Sequence, residues 1–197
     1  FVATTGTGRR AFVKLLGRDE RDADVIARVF KQLRVKDLDD TRSGWSPREL
    51  AEHEAFTTLL AARPGVSTAE VLAAGTTEGG DGLVALEWVH GEPLDDLEPE
   101  LVTDELLDEV WRQVLLLHQQ GIAHGYLTAR HFLVDQDAPD PSTGLPGVSL
   151  LDFRWSTRQA DPEQLGADVG ALVVSLALVV GAERSVAAAA RTLGSGE

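Results

Sequence analysis

The chain has 197 residues, enough for one large domain or two small lobes around a shared cleft. Its 18 basic and 32 acidic residues leave a net charge of −14, a poor match to a nucleic-acid phosphate backbone or to anionic lipid headgroups. It has no cysteine, so disulfides, thiolate metal sites and cysteine nucleophiles are excluded, and no methionine, so a fragment lacking its natural start is expected. In chain order, Phe1–Thr4 and Ala11–Leu16 are short apolar runs predicted as strands, separated by the turn signal TGTGRR. Asp22–Val35 carries Val25, Ile26, Val29, Phe30 and Leu33 at helical spacing. Ser46-Pro47 followed by Glu49 predicts a helix start, and Pro64-Gly65 a stop after Arg63. Val71–Ala74 and Leu83–Val89 read as strands around TEGGDG. Asp104–Gln120 is a strongly periodic helix, Ile122–Asp135 a loop leading into a short strand, and Asp137–Gly147 a surface loop rich in Pro, Gly and Asp. Val148–Asp152 is a short strand, and Pro162–Val180 and Glu183–Leu193 are helices. The longest apolar run, Val169–Val180, is shorter than the roughly 20 residues that span a bilayer and reads as a buried helix. No secretory signal is visible.

Several residues have a plain reading beside a chemical one. Lys14, in AFVKLL, sits on a strand among large apolar neighbours and either faces solvent or points into a cleft. Glu54, in ELAEHEAFTTLL, lies next to the buried face of its helix, with Glu52 the second choice as a partner for Lys14. LEWVHGEPL is either an ordinary strand exit or a hinge. DQDAPD lacks the distal glutamate of a calcium loop, and no helix carries an H-x-x-x-H pair for zinc. His53, His90 and His118 read as hydrogen-bonded structural histidines.

The segment LLLHQQGIAHGYLTARHFLVD, Leu115–Asp135, resembles the catalytic loop of the protein-kinase-like fold. His118, Gly121, Ile122, His124, Leu127, Leu133, Val134 and Asp135 fall on its frame. With Lys14, LEWVHGEPL, LLDFRW and GADVGALVVSL, five features follow in order over nearly the whole chain. The resemblance implies an α+β, two-lobed, truncated fold: a strand-rich N-lobe over residues 1–90 and a short helical C-lobe over 91–197. It also implies a cofactor site for ATP with Mg²⁺. Lys14 would reach the α and β phosphates and pair with Glu54, the backbone of Glu87 and Val89 would meet the adenine edge, and Asp152 would hold the metal. Asp168 would be structural, accepting hydrogen bonds from the loop backbone near His124. FVKLLGRDERDAD, ELAEHEAF and the closing DVGALVVSLALVVGAERSV are similar to kinase-like domains of actinobacterial proteins that continue into a lysylphosphatidylglycerol synthase-like membrane region. That subfamily implies a cytoplasmic domain tethered to the membrane by a region outside this sequence. Its partner would be another protein or the attached membrane domain.

The departures fall on the chemistry. The position of the catalytic aspartate holds Tyr126, whose phenol, with a pKa of about 10, cannot orient an acceptor hydroxyl as a carboxylate does. The position of the metal-binding asparagine holds His131, a poor ligand for magnesium. Arg154 replaces the glycine after Asp152-Phe153, adding a bulky cation that can pair with Asp152 or with a ligand phosphate. The expected function is that of a pseudokinase, a regulatory module retaining at most weak nucleotide binding. An active atypical kinase or nucleotidyl transferase using Asp152 is one alternative, and an unrelated α+β interaction domain is another.

Overall fold

The computed structural model describes residues 1–17, 45–139 and 144–194. The helix expected over 22–35 lies outside the described residues, as does part of the Asp137–Gly147 loop. The first sheet has four antiparallel strands in the order β1-β2-β4-β3: β1 Val2–Thr4, β2 Arg10–Leu16, β3 Val71–Thr76 and β4 Gly82–Glu87. TGTGRR closes the β1–β2 hairpin, with Gly8 N–H donating to the Thr5 carbonyl at 2.9 Å. Burial alternates along β4, so Val84 and Leu86 face inward, the period-2 pattern of a sheet covered on one side.

That cover is helix α1, Pro47–Ala62. Ser46 caps it reciprocally with Glu49, and Pro47 supplies the first turn, so the sequence signal and the helix start coincide. Ala51 and Ala55, one turn apart, pack with Leu16, Ala69, Val84 and Leu86 in a small core. The approach is close because Gly82 has no side chain: a Cβ there would lie 2.0 Å from the Pro47 carbonyl oxygen.

After β4 the chain crosses to a second sheet, β5 Glu92–Pro93, β7 Phe132–Asp135 and β8 Gly147–Leu150. A two-residue pair, β6 Ile122–Ala123 with β9 Thr157–Arg158, brackets the intervening loops. Helix α2, Asp104–Gln119, is capped by Thr103 and buries Leu106, Leu107, Val110, Trp111, Val114 and Leu117. This stripe anchors the larger core with Phe132, Leu150 and Phe153. Fully burying such a side chain contributes about 1.5–3 kcal/mol, so this cluster dominates the stability of the second half.

Helices α3, Pro162–Val180, and α4, Ala182–Leu193, pack on one another and close the chain. Here the structure corrects the expectation of a buried helix. Only Asp168, Leu172 and Leu176 of α3, spaced four apart, are buried. Val174 is 57% exposed and Leu178 87% exposed. The physical reason is one-sided packing: no described element covers the opposite face. At 19 residues, α3 is also the one described helix long and apolar enough to cross a membrane by length and composition. Its buried Asp168 bonds it to the loop of His124 and Gly125.

Candidate functional site

Lys14 lies on β2 opposite Val84 of β4. Its ammonium donates to Glu54 Oε1 and, at 2.9 Å, to Asp152 Oδ1. Glu54, not Glu52, makes this contact because the turn of α1 carries Glu54 to the sheet side. Its side chain is 0% exposed, against 17% for Lys14 and 23% for Asp152. Glu52 faces solvent and accepts from Arg48 Nε at 2.6 Å. Burial pulls the Lys14 ammonium down, but the two carboxylates outweigh it and hold it above its ordinary value. Burial likewise pushes Glu54 up, and Lys14 does not fully offset it. Burial pushes Asp152 up too, yet Lys14 and Arg154 more than reverse this and hold it well below the usual carboxylate range. The Lys14–Asp152 pair is therefore ionic.

Asp152 adopts the left-handed conformation, φ 70° and ψ 62°, and starts a short 3₁₀ turn over Phe153–Trp155. This is uncommon outside glycine but accessible to Asp and Asn, and it aims the carboxylate back into the cleft. Oδ2 is faced by Arg154 Nη2 at 3.5 Å and His131 Nε2 at 4.0 Å. Burial and the nearby His124 push His131 down to about 3, so its ring is neutral at pH 7. Nδ1 of His131 accepts the Thr128 backbone N–H at 3.2 Å. The remaining proton of the neutral ring then sits on Nε2, and His131 turns an N–H donor, not a lone pair, toward Asp152.

A hard divalent cation fits this arrangement poorly. It wants several oxygen ligands. Here one oxygen of Asp152 is bonded to an ammonium, the other faces a guanidinium, and the second ligand position offers a proton. Among the described residues no group of three or more His, Asp or Glu side chains could hold a metal ion.

The loop bearing Tyr126 is held from below. Asp168 accepts the backbone N–H groups of His124 and Gly125, the latter at 2.9 Å. His118 Nε2 also approaches Asp168, at 3.4 Å. His124 Nε2 donates to the Leu151 carbonyl at 3.0 Å, linking the loop to the segment of Asp152. Gly125 has φ 85°, and a Cβ on it would sit 2.0 Å from the Trp155 carbonyl oxygen. Tyr126 packs edge-on against His131, ring centroids 5.6 Å apart. His53 Nε2 donates to the buried Ser156 carbonyl at 2.9 Å, so α1 is pinned at a second point to the same segment. His90 is exposed.

Lys14, Asp152, Arg154 and His131 line one end of a cavity of roughly 1310 Å³, and Leu86, Glu87 and Val89 line it elsewhere. The Glu87 N–H is used, donating to the Glu70 carbonyl at 2.8 Å, and its side chain is paired with Arg9 at 2.7 Å. The Val89 N–H has no backbone partner among the described residues. The sequence reading missed Trp88, which lines the cavity with Arg10 stacked 4.5 Å from its ring centroid and Phe12 against its edge. Only its place in LEWV pointed to it, because Arg10 and Phe12 reach it through the β2–β4 pairing. Thr128, which sets the His131 tautomer, and Gly125 were missed as well.

The sequence model of a phosphotransferase enzyme family (APH) matches residues 1–142. No curated protein matches the chain. Among solved structures, one described as WaaP in complex with acyl carrier protein superposes with a TM-score of 0.63. It is 20% identical, over 97% of this chain and 73% of that one, a likeness of fold.

Proposed function

The chain belongs to the phosphotransferase enzyme family, with the kinase-like fold, and we propose that it serves there as a binding and regulatory module that does not transfer phosphate. The observation that carries this reading is the chemistry around Asp152. The loop that should present a carboxylate to the acceptor presents Tyr126. The neighbouring ligand position presents the N–H of His131. Phosphoryl transfer depends on positioning and charge stabilisation, and both are missing at the acceptor side.

Nucleotide binding is a separate matter, and three features support it. The cavity is large enough, Lys14 supplies a fixed cation at one end, and the Val89 N–H is available at the other. We take ATP as the ligand, bound weakly, with Lys14, Glu54, Glu87, Val89 and Asp152 forming the site. The output would pass to a protein partner or to an attached membrane domain, in a cytoplasmic setting. The acidic charge speaks against nucleic acid.

A second reading has one observation in its favour. Lys14, Glu54 and Asp152 are assembled, with Asp152 ionised, as an active atypical kinase or nucleotidyl transferase would need. Incubation with γ- and α-labelled ATP and metal ions separates the two. The first reading expects no label on the protein or on generic acceptors. Robust transfer that disappears in Asp152→Ala overturns it and establishes the second.

A further inference from the structure

We propose that Arg154 stands where a divalent cation would sit, so that this cleft takes a nucleoside polyphosphate free of metal. The inference rests on the nucleotide reading of the cavity and deepens it. Three contacts carry it. Asp152 Oδ1 is bonded to Lys14, and Oδ2 faces Arg154 at 3.5 Å and His131 at 4.0 Å, so both oxygens are turned toward cationic or N–H groups. At the position that would complete a metal site, His131 turns its Nε2–H toward Asp152 Oδ2, 4.0 Å away, and offers no oxygen. Arg154 itself is under-satisfied: its Nη2 lies a long 3.5 Å from Asp152, and its Nε is buried with no hydrogen-bond partner among the described residues.

The electrostatics point the same way. Glu54 is fully buried behind Lys14, so around Asp152 two cations, Lys14 and Arg154, stand against one carboxylate, while Arg130, Asp81 and Glu87 also line the cavity. A guanidinium keeps its charge at any working pH and offers a planar fork of donors matched to phosphate oxygens. It thus supplies the neutralisation that Mg²⁺ provides in metal-dependent members, without needing oxygen ligands.

The test is calorimetric titration of the whole chain with ATP, in EDTA and in excess Mg²⁺, for wild type, Arg154→Gln and Asp152→Asn. Asparagine tolerates the left-handed backbone at 152, and the melting temperature of each unliganded variant checks its folding. Wild type should bind ATP within about threefold in the two conditions. Arg154→Gln should lose about tenfold in EDTA, or 1.4 kcal/mol, and regain affinity with Mg²⁺. Asp152→Asn should tighten binding in EDTA severalfold, since a negative charge facing the phosphates is gone. A wild type that binds only with Mg²⁺, or an Asp152→Asn variant that loses binding, overturns the proposal while leaving catalytic silence intact. No binding by any form overturns both this proposal and the nucleotide reading. Phosphate transfer by wild type would count against silence alone.

Discussion

Asp168, on α3, is fully buried and accepts the backbone N–H of half-buried Gly125 from a loop 43 residues away. A second oxygen of the same carboxylate takes the N–H of His124. Replacing Asp168 by alanine strands one buried and one partly buried donor at about 1–3 kcal/mol each, so Asp168→Ala should cost about 2–6 kcal/mol. Asp168→Asn keeps one acceptor and should cost about half as much. Urea unfolding followed by tryptophan fluorescence measures both. A loss below about 1 kcal/mol for the alanine variant would show that the loop does not depend on this carboxylate.

Gly125→Ala should be among the most damaging single substitutions. The new Cβ would meet the Trp155 carbonyl at 2.0 Å in a backbone conformation that L residues rarely adopt. Clash and strain together should exceed about 3 kcal/mol. Gly166→Ala, on α3, meets nothing within 4 Å and should be neutral or stabilising by about 0.5–1 kcal/mol. Expression level and melting temperature of the two variants give opposite signs if the packing is as described.

Acid sensitivity should trace to His131. Its folded value near 3 lies below the ordinary 6.5, so between those values the unfolded chain binds a proton that the native state refuses. Stability therefore falls as pH drops through this window, by up to about 1.4 kcal/mol per pH unit. Glu54 acts in the opposite sense, since burial raises it and the native state takes its proton earlier. Asp152, held low, loses its contribution only below about pH 4. Urea midpoints at pH 7, 5.5 and 4.5 should fall more steeply for wild type than for His131→Gln, in which Glu54 still titrates. Parallel curves would remove His131 from the account.

The two faces of α3 should respond differently. Leu176→Ala empties a fully buried position and should cost about 2–5 kcal/mol. Leu178→Ala, at a largely exposed position, should stay within about 0.5 kcal/mol. Comparable losses at both would mean that something covers the outer face in solution.

Much of the fold was legible because its elements carry local signals. The Ser46-Pro47-Glu49 start of α1, the TGTGRR hairpin and the period of α2 are each set by neighbours within a few residues. The choice of Glu54 over Glu52 was legible for the same reason, as it follows from where the helix turns. The outer face of α3 was not. A helix apolar all round has no polar side to mark which stripe is buried, and the i, i+4 spacing of Asp168, Leu172 and Leu176 stands out only once its neighbours are placed. The pairs β5–β7 and β6–β9 are two residues long and owe their existence to long-range packing. The orientation of His131 hangs on the backbone N–H and the hydroxyl of Thr128, which no periodicity encodes.

The ion pair between Lys14 and Asp152 joins residues 138 apart in sequence. Closing so long a loop is entropically costly, so this pair is expected to form late, after each sheet has assembled from nearer contacts. An interaction absent from the folding transition state acts on the way out, not on the way in. Breaking it with Lys14→Met should therefore hasten unfolding in stopped-flow experiments while leaving the refolding limb almost unmoved. In that event the pair acts as a kinetic latch, setting how long the two halves stay joined.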